Sequence, residues 1–384
     1  MEALRSLIAG DLPPVGHPVI LQGAAPPPTL PGYCPTWVDS GTSALALALL
    51  DTKAKRPDLK APEVIIPAYC CPDLVAAAEF AGVIPVVVDV SPGDTAFNLH
   101  SLSAAITPQT LALVAMTFLG IRENWPQLLP FMREQHPRVA LIEDNAQWFP
   151  DLTGGEDFGA DYLVFSFGRG KPLSLLGGGA LFSREQLSAP ALGAIGPAVS
   201  DRFDELKCRA YNLLLQPNCY WFLNHNPLLH LGQTRFHELN SLHSLDSRRQ
   251  SLLGSNFVAY RQRSRHLEVQ YQQLLQAAGF QSSYLGLHTP RQGRLLRYPL
   301  LCANQPQRDA LLHALNAQGL GASPLYQLPL AMLDGVASKI RQFNPPVHAT
   351  DFAQRLITLP LHAGVREQHL SKIARVFSKL TNTG

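Results

Sequence analysis

The chain has 384 residues, 46% hydrophobic and 16% charged, with a net charge of +2. That is enough for a full core and predicts two domains of one enzyme, while the balanced charge argues against nucleic-acid partners and against an anionic membrane surface. No apolar run reaches the roughly 18 residues of a membrane helix, and Cys34, Cys70, Cys71, Cys208, Cys219 and Cys302 show no CxxC or metal-ligand spacing, so reduced thiols, no metal site and a cytoplasmic location are expected.

In chain order, residues 1–37 are proline-rich (PPVGHP, APPPTLPGYCP) and read as an irregular arm. Ser40-Gly41-Thr42-Ser43 then precedes the helix-forming run ALALALL. A helix beginning there presents free N–H groups, hydroxyls and the positive end of its dipole, which suits a phosphate. EVIIP (63–67), IPVVVDV (84–90) and TLALVAMTF (110–118) are strand-like, with helices expected at 72–82, near 100–107 and over about 124–135. Strands alternating with helices predict a mostly parallel sheet covered on both faces. Neither GxGxxG after the first strand nor GxxxxGK[ST] is present, which weighs against dinucleotide and P-loop sites.

The stretch Val139–Phe182 holds the candidate chemistry. Its three β-like runs (139–143, 162–165, 180–182) surround Asp144, Gln147, Ser166 and Lys171. A carboxylate just past a parallel strand lies where such sheets place their ligand crevice. A lysine between glycines can reach into the same crevice. Together they suit pyridoxal phosphate: the lysine would form the Schiff base and the carboxylate would keep the pyridine nitrogen protonated. Beyond it, 184–240 is weakly patterned and reads as a lid or subunit contact, and about 242–278 as a long helical segment with an interruption at Gly254. RLLRYPLLC, QRDALLHALNAQG, ITLPL and REQHLSKIARVFSKL then read as strand, helix, strand and helix. The expected division is an arm (1–37), a cofactor-binding large domain (38–250), and a bridging helix with a smaller C-terminal α/β domain (251–384).

SGTSALALAL, EVIIPAY, AGVIPVVVDV, LIEDNAQ and FSFGRGKPLSLLGGGALF, in that order and spacing, resemble the DegT/DnrJ/StrS-type aminotransferases. The resemblance implies the aspartate-aminotransferase fold, with a mostly parallel large domain and a smaller C-terminal one. It implies pyridoxal 5′-phosphate as cofactor, a homodimer, and transfer of an amino group from glutamate to a nucleotide-linked keto sugar. By the same resemblance Lys171 is the Schiff-base lysine, Asp144 the partner of the pyridine nitrogen and Gln147 the neighbour of the ring hydroxyl. Gly41, Thr42, Ser43 and Ser166 would hold the phosphate. Some members carry histidine in place of the lysine and dehydrate instead, so Lys171 favours transamination. An enzyme of the same fold acting on a non-sugar acceptor or as a lyase or dehydratase, and a non-catalytic regulator of that fold, are the alternatives.

Three departures stand out. PAYCC replaces the expected threonine-aromatic pair, leaving Tyr69 or Cys71 to stack on the ring. Trp148 and Phe149 stand where small residues are usual and are expected either to narrow the acceptor pocket or to turn into the core. The segment that reaches a neighbouring subunit's phosphate has only LGQTRF (231–236) as a near match.

Overall fold

A computed structural model describes residues 10–153, 158–199, 204–224 and 234–381. The strands in chain order are β1 (Cys34–Val38), β2 (Glu63–Pro67), β3 (Ile84–Val88), β4 (Thr110–Met116), β5 (Ala140–Asp144), β6 (Tyr162–Ser166) and β7 (Gly179–Ser183). The short β8 (Ile195–Gly196) and β9 (Leu242–His243) follow, then β10 (Arg297–Leu301), β11 (Arg341–Gln342) and β12 (Leu356–Pro360). The principal sheet has the order β1-β7-β6-β5-β4-β2-β3-β11 and is parallel except around β7, which runs against both its neighbours. β10 and β12 form a separate antiparallel pair.

Successive residues of the central strands feed opposite cores. Val64 and Ile66 face one side and Ile65 the other; Val87 opposes Val86 and Val88; Ala112 and Val114 oppose Leu113 and Ala115. Both faces are apolar, which is why these strands read as continuous hydrophobic runs. Helices α1 (Gly41–Lys55) and α2 (Asp73–Ala81) cover one face; α3 (Leu99–Ala105) and α4 (Trp125–Gln135) send Leu102, Leu128 and Met132 into the core on the other. α5 (Ala189–Gly193), α6 (Asp204–Leu214) and α7 (Pro217–Asn224) occupy the weakly patterned region. α8 (Ser247–Arg261) and α9 (His266–Ala277) lead to α10 (Gln305–Asn316), α11 (Val347–Arg355) and α12 (Glu367–Thr381), which accompany β10 and β12.

Two expectations need correction. The expected irregular arm is irregular only as far as residue 33, because Cys34–Val38 pairs antiparallel with β7 as the sheet's edge strand. The rest of the arm is tied down by side chains rather than by a strand. The Asn212 amide exchanges both hydrogen bonds with the backbone of Val19 (2.8 and 2.9 Å), and Asn256 does the same for Ile20 (2.9 Å each). The long helical segment breaks at residues 262–265, not at Gly254. Gly254 lies inside α8, where a β-carbon would sit 2.0 Å from the Ala25 carbonyl oxygen, so glycine there lets the arm cross the helix.

Candidate active site

The site assembles at the C-terminal ends of β5 and β6. Asp144 ends β5 and is 6% exposed; one carboxylate oxygen accepts from the Ala146 N–H at 2.9 Å. Burial raises its pKa above the ordinary carboxylate value, opposed by the Ala146 N–H and by the charge of Lys171. Without a bound cation, burial therefore outweighs the depression that pairing with a pyridinium predicts. No cation pairs with this carboxylate within salt-bridge distance among the described residues; Lys171 acts on it only through its charge.

Lys171 follows a tight turn in which Gly170 takes φ +74° and the Lys171 N–H donates to the Gly168 carbonyl at 3.2 Å. The lysine opens on a cavity of about 1000 Å³ that is also lined by Gln147, Tyr211, Tyr220, Arg297 and Tyr326, with Pro13–Val15 of the arm along one wall. Gln147 is fixed at both ends: its Oε1 accepts from the Leu119 N–H (2.9 Å) and its Nε2 donates to the Tyr326 hydroxyl (2.8 Å).

The start of α1 meets the end of β6. A β-carbon on Gly41 would lie 2.6 Å from the Ser166 β-carbon, so glycine keeps a cradle open between the helix terminus and that serine. The first turn leaves the N–H groups of Gly41 and Thr42 without intrahelical partners, and the Thr42 hydroxyl has no hydrogen-bond partner among the described residues. Ser43 differs. Its N–H donates to the Ser40 hydroxyl (3.0 Å), its own hydroxyl pairs with Ser40 (2.8 Å), and it is fully buried, so its groups serve the helix cap.

Tyr69 does not present a face to the cavity. Its ring is enclosed by Phe118, Tyr326 and Phe352, and its hydroxyl donates to the Tyr326 carbonyl at 2.9 Å. It buttresses Tyr326 from behind. Cys71 is half-buried and senses both Asp73 and Lys171; burial pushes its thiol up to about 12. Trp148 and Phe149 turn into the core. Trp148 packs on Phe158 beneath the Arg122 guanidinium, which pairs with the buried Glu143 at 2.7 Å, and Phe149 packs among Phe165, Phe257 and Tyr260. Residues 231–233 of LGQTRF lie outside the described residues.

The sequence assigns no arginine to the donor carboxylate, although Arg294 and Arg297 are present in the C-terminal part; Arg294 pairs with Asp151 at 3.1 Å, and Arg297, inside the apolar strand RYPLL, lines the cavity. Sequence reasoning missed Tyr326. No periodicity marks Tyr326, which sits in an irregular segment of the C-terminal part.

A lysine whose charge acts on a buried carboxylate, with a helix N-terminus and a serine cradle opening at the same end of a parallel sheet, suits a pyridoxal-phosphate site. The residues fit the cofactor: the buried carboxylate wants a cation, and the cradle that a β-carbon would fill wants a phosphate. The sequence profile described as the DegT/DnrJ/EryC1/StrS aminotransferase family matches residues 35–195 and 255–378, and the chain belongs to that family of pyridoxal-phosphate-dependent aminotransferases. Among relatives, a UDP-N-acetyl-3-dehydro-alpha-D-glucosamine 3-aminotransferase of Acidithiobacillus ferrooxidans is 26% identical over 351 residues, 88% of this chain and 82% of that protein. A dTDP-3-amino-3,4,6-trideoxy-alpha-D-glucose transaminase of Micromonospora megalomicea is 33% identical over 160 residues, 40% of this chain and 41% of that protein. Solved structures share the fold. A family member from Brucella abortus has a TM-score of 0.64 at 18% identity, covering 90% of this chain and 85% of that one. NtdA from Bacillus subtilis, solved with bound cofactor PMP, has a TM-score of 0.65 at 18% identity, covering 91% and 73%.

Proposed function

We propose that this enzyme transfers the amino group of glutamate to a nucleotide-linked keto sugar. Lys171 in the cavity wall, its charge acting on the buried Asp144 at the end of β5, is the observation that carries the chemistry. The acceptor class rests on the relative from Acidithiobacillus ferrooxidans, which aligns along most of both chains. A cavity of about 1000 Å³ exceeds what an amino acid needs and leaves room for a nucleotide-linked sugar.

Each residue has one task in this reading. Asp144 would keep the ring nitrogen protonated, the N–H groups of Gly41 and Thr42 with the Thr42 and Ser166 hydroxyls would hold the phosphate, and Gln147 and Cys71 would position the ring. The bound cofactor supplies an electron sink for the carbon that gives up its proton. The Lys171 amine removes that proton and returns it one position away. Ser43 serves by holding the helix cap rather than by touching the phosphate.

The finer setting is a cytoplasmic homodimer. The six thiols are free, and Leu192, Leu206, Leu213 and Phe222 expose apolar side chains along α5–α7, beside the cavity wall formed by Tyr211 and Tyr220. Sedimentation should find a dimer; a fully active monomer rejects it.

The test of function is spectroscopic. Glutamate should bleach the visible band of the cofactor-loaded enzyme, and a nucleotide-linked keto sugar should restore it. Lys171→Ala should lack the band and turnover while keeping its fold. An unchanged parent band with every amino donor, or parent-rate turnover by Lys171→Ala, refutes the assignment.

A further inference from the structure

A second cavity, of about 460 Å³, adjoins the catalytic one. The two meet at Leu296, which lines both, and at the bond between Lys171 and Pro172, of which each cavity takes one residue. The arm runs past both: Pro13–Val15 wall the first and Gly16–Pro18 the second. Pro18, Ile20, Pro172, Leu267, Leu295 and Leu361 make the second cavity largely apolar. Such a volume and lining suit a small molecule with an apolar body and a few fixed polar contacts.

Most of the charged and titratable groups in its wall are already engaged. Arg294 pairs with Asp151, Glu268 pairs with Arg265 and accepts from the Leu295 N–H, and His362 is bonded through both ring nitrogens. His266 is exposed. Arg263 and His17 remain. The Arg263 guanidinium lies 5.3 Å from the centre of the Tyr260 ring and donates one N–H to the Pro172 carbonyl at 2.9 Å. Its other side-chain N–H groups meet no acceptor among the described residues. Several arginines of this chain lack a carboxylate, most of them exposed, where water serves instead; Arg263 is half-buried in an apolar wall. Burial pushes its pKa down to about 10, and the charge of Arg294 acts the same way. The His17 ring meets His362 edge-on and makes no hydrogen bond with any described residue. Burial holds its pKa well below 6.5, and Arg263 is first among the charges acting on it, so the ring is neutral and keeps one N–H to donate.

Unused guanidinium donors and an unbonded imidazole, in an apolar cavity whose lining carboxylate is engaged elsewhere, complement one negative charge on an apolar body. A carboxylate meets a guanidinium through two parallel hydrogen bonds. We infer that this second cavity binds an apolar monocarboxylate the size of an aryl acid, its carboxylate received by Arg263 and the ring N–H of His17. The site holds whichever acceptor the catalytic cavity takes.

The test is equilibrium dialysis of 2-naphthoate against the cofactor-loaded parent, Arg263→Met, His17→Phe and Ala259→Trp. Ala259 lines the second cavity from α8 and does not line the first, so tryptophan there fills the second space alone. Cofactor absorbance and thermal melting report the folding of each variant. The parent should bind a single naphthoate about 10- to 100-fold more tightly than the uncharged 2-naphthamide, the scale of a charged hydrogen bond. Arg263→Met should bring naphthoate down to the naphthamide level and leave naphthamide unchanged. His17→Phe should cost naphthoate a smaller factor, about fivefold, and Ala259→Trp should abolish binding of both. Equal naphthoate affinity in parent, Arg263→Met and His17→Phe overturns the inference. So does binding that survives in folded Ala259→Trp, which puts the anion elsewhere, and so does the absence of saturable binding in the parent.

Discussion

Acid should destabilise this protein through His362, by an amount the structure allows to be worked out. The imidazole is 6% exposed and lies between two glycines: a β-carbon on Gly16 would come within 2.6 Å of the ring and one on Gly364 within 2.9 Å. The Gly364 N–H donates to Nδ1 at 3.1 Å, so Nε2 must carry the proton, and it donates to the Pro13 carbonyl at 2.8 Å. The folded state therefore holds neutral histidine, and burial lowers its pKa from 6.5 to about 4, with His369 and Arg297 acting in the same direction. An unfolded chain takes up a proton below 6.5 and the folded one does not. Stability is complete above that pH and is lost as pH falls toward 4. The difference corresponds to about 3 kcal/mol. Urea unfolding of the cofactor-loaded enzyme at pH 7.5, 6 and 5 should show about 2 kcal/mol of this loss by pH 5, and His362→Gln should flatten the slope by that part relative to the parent. His17, whose ring meets His362 edge-on and is also held low by burial and by Arg263, acts in the same sense and remains in both proteins. An equal pH slope in parent and variant would refute the reasoning.

Asp144→Asn should fold and bind the cofactor, yet lose turnover by about a thousandfold, on the order of 4 kcal/mol of transition-state stabilisation; a loss below tenfold means another group protonates the ring. Trp148→Ala should cost about 3–5 kcal/mol in denaturant unfolding, because it empties the space under Arg122, while leaving the choice of acceptor unchanged; a broadened acceptor range would return Trp148 to the pocket. Gly254→Ala adds helix propensity worth about 1 kcal/mol but forces the arm off α8, at about 1–3 kcal/mol. Proteolysis of residues 10–30 should accelerate in that variant, and unchanged cleavage would show that the arm is held elsewhere.

Much of the large sheet was readable because β2, β3 and β4 are buried on both faces, so apolar runs, bounding prolines and glycines, and intervening helices mark them locally. The same holds for SGTS and for the glycine turn before Lys171, whose conformational needs are written in the residues themselves. What stayed hidden depends on contacts between distant segments. Cys34–Val38 becomes a strand only because β7 offers an edge. The arm is ordered by Asn212 and Asn256, far along the chain. Tyr69 looked like a stacking ring because it follows β2 into the crevice, but Phe118, Phe352 and Tyr326 close over it from three other elements. Trp148 and Phe149 left two outcomes open that only the Arg122–Glu143 pair and α8 decide.

The two-residue strand β11 affects how this protein must be made. It completes the principal sheet by pairing with β3, and Arg341 reaches across to Glu63 of β2 at 2.6 Å, while Asp89, just past β3, caps the first N–H groups of α11 at 2.9 Å. A ribosome releases β3 long before it releases β11. Until then the outer edge of β3 carries unsatisfied backbone groups beside the exposed Ile84, a template for pairing with another nascent chain. The principal sheet therefore cannot be completed until residue 342 has been made. A chain ended at residue 250 should yield aggregated protein rather than a soluble cofactor-binding half.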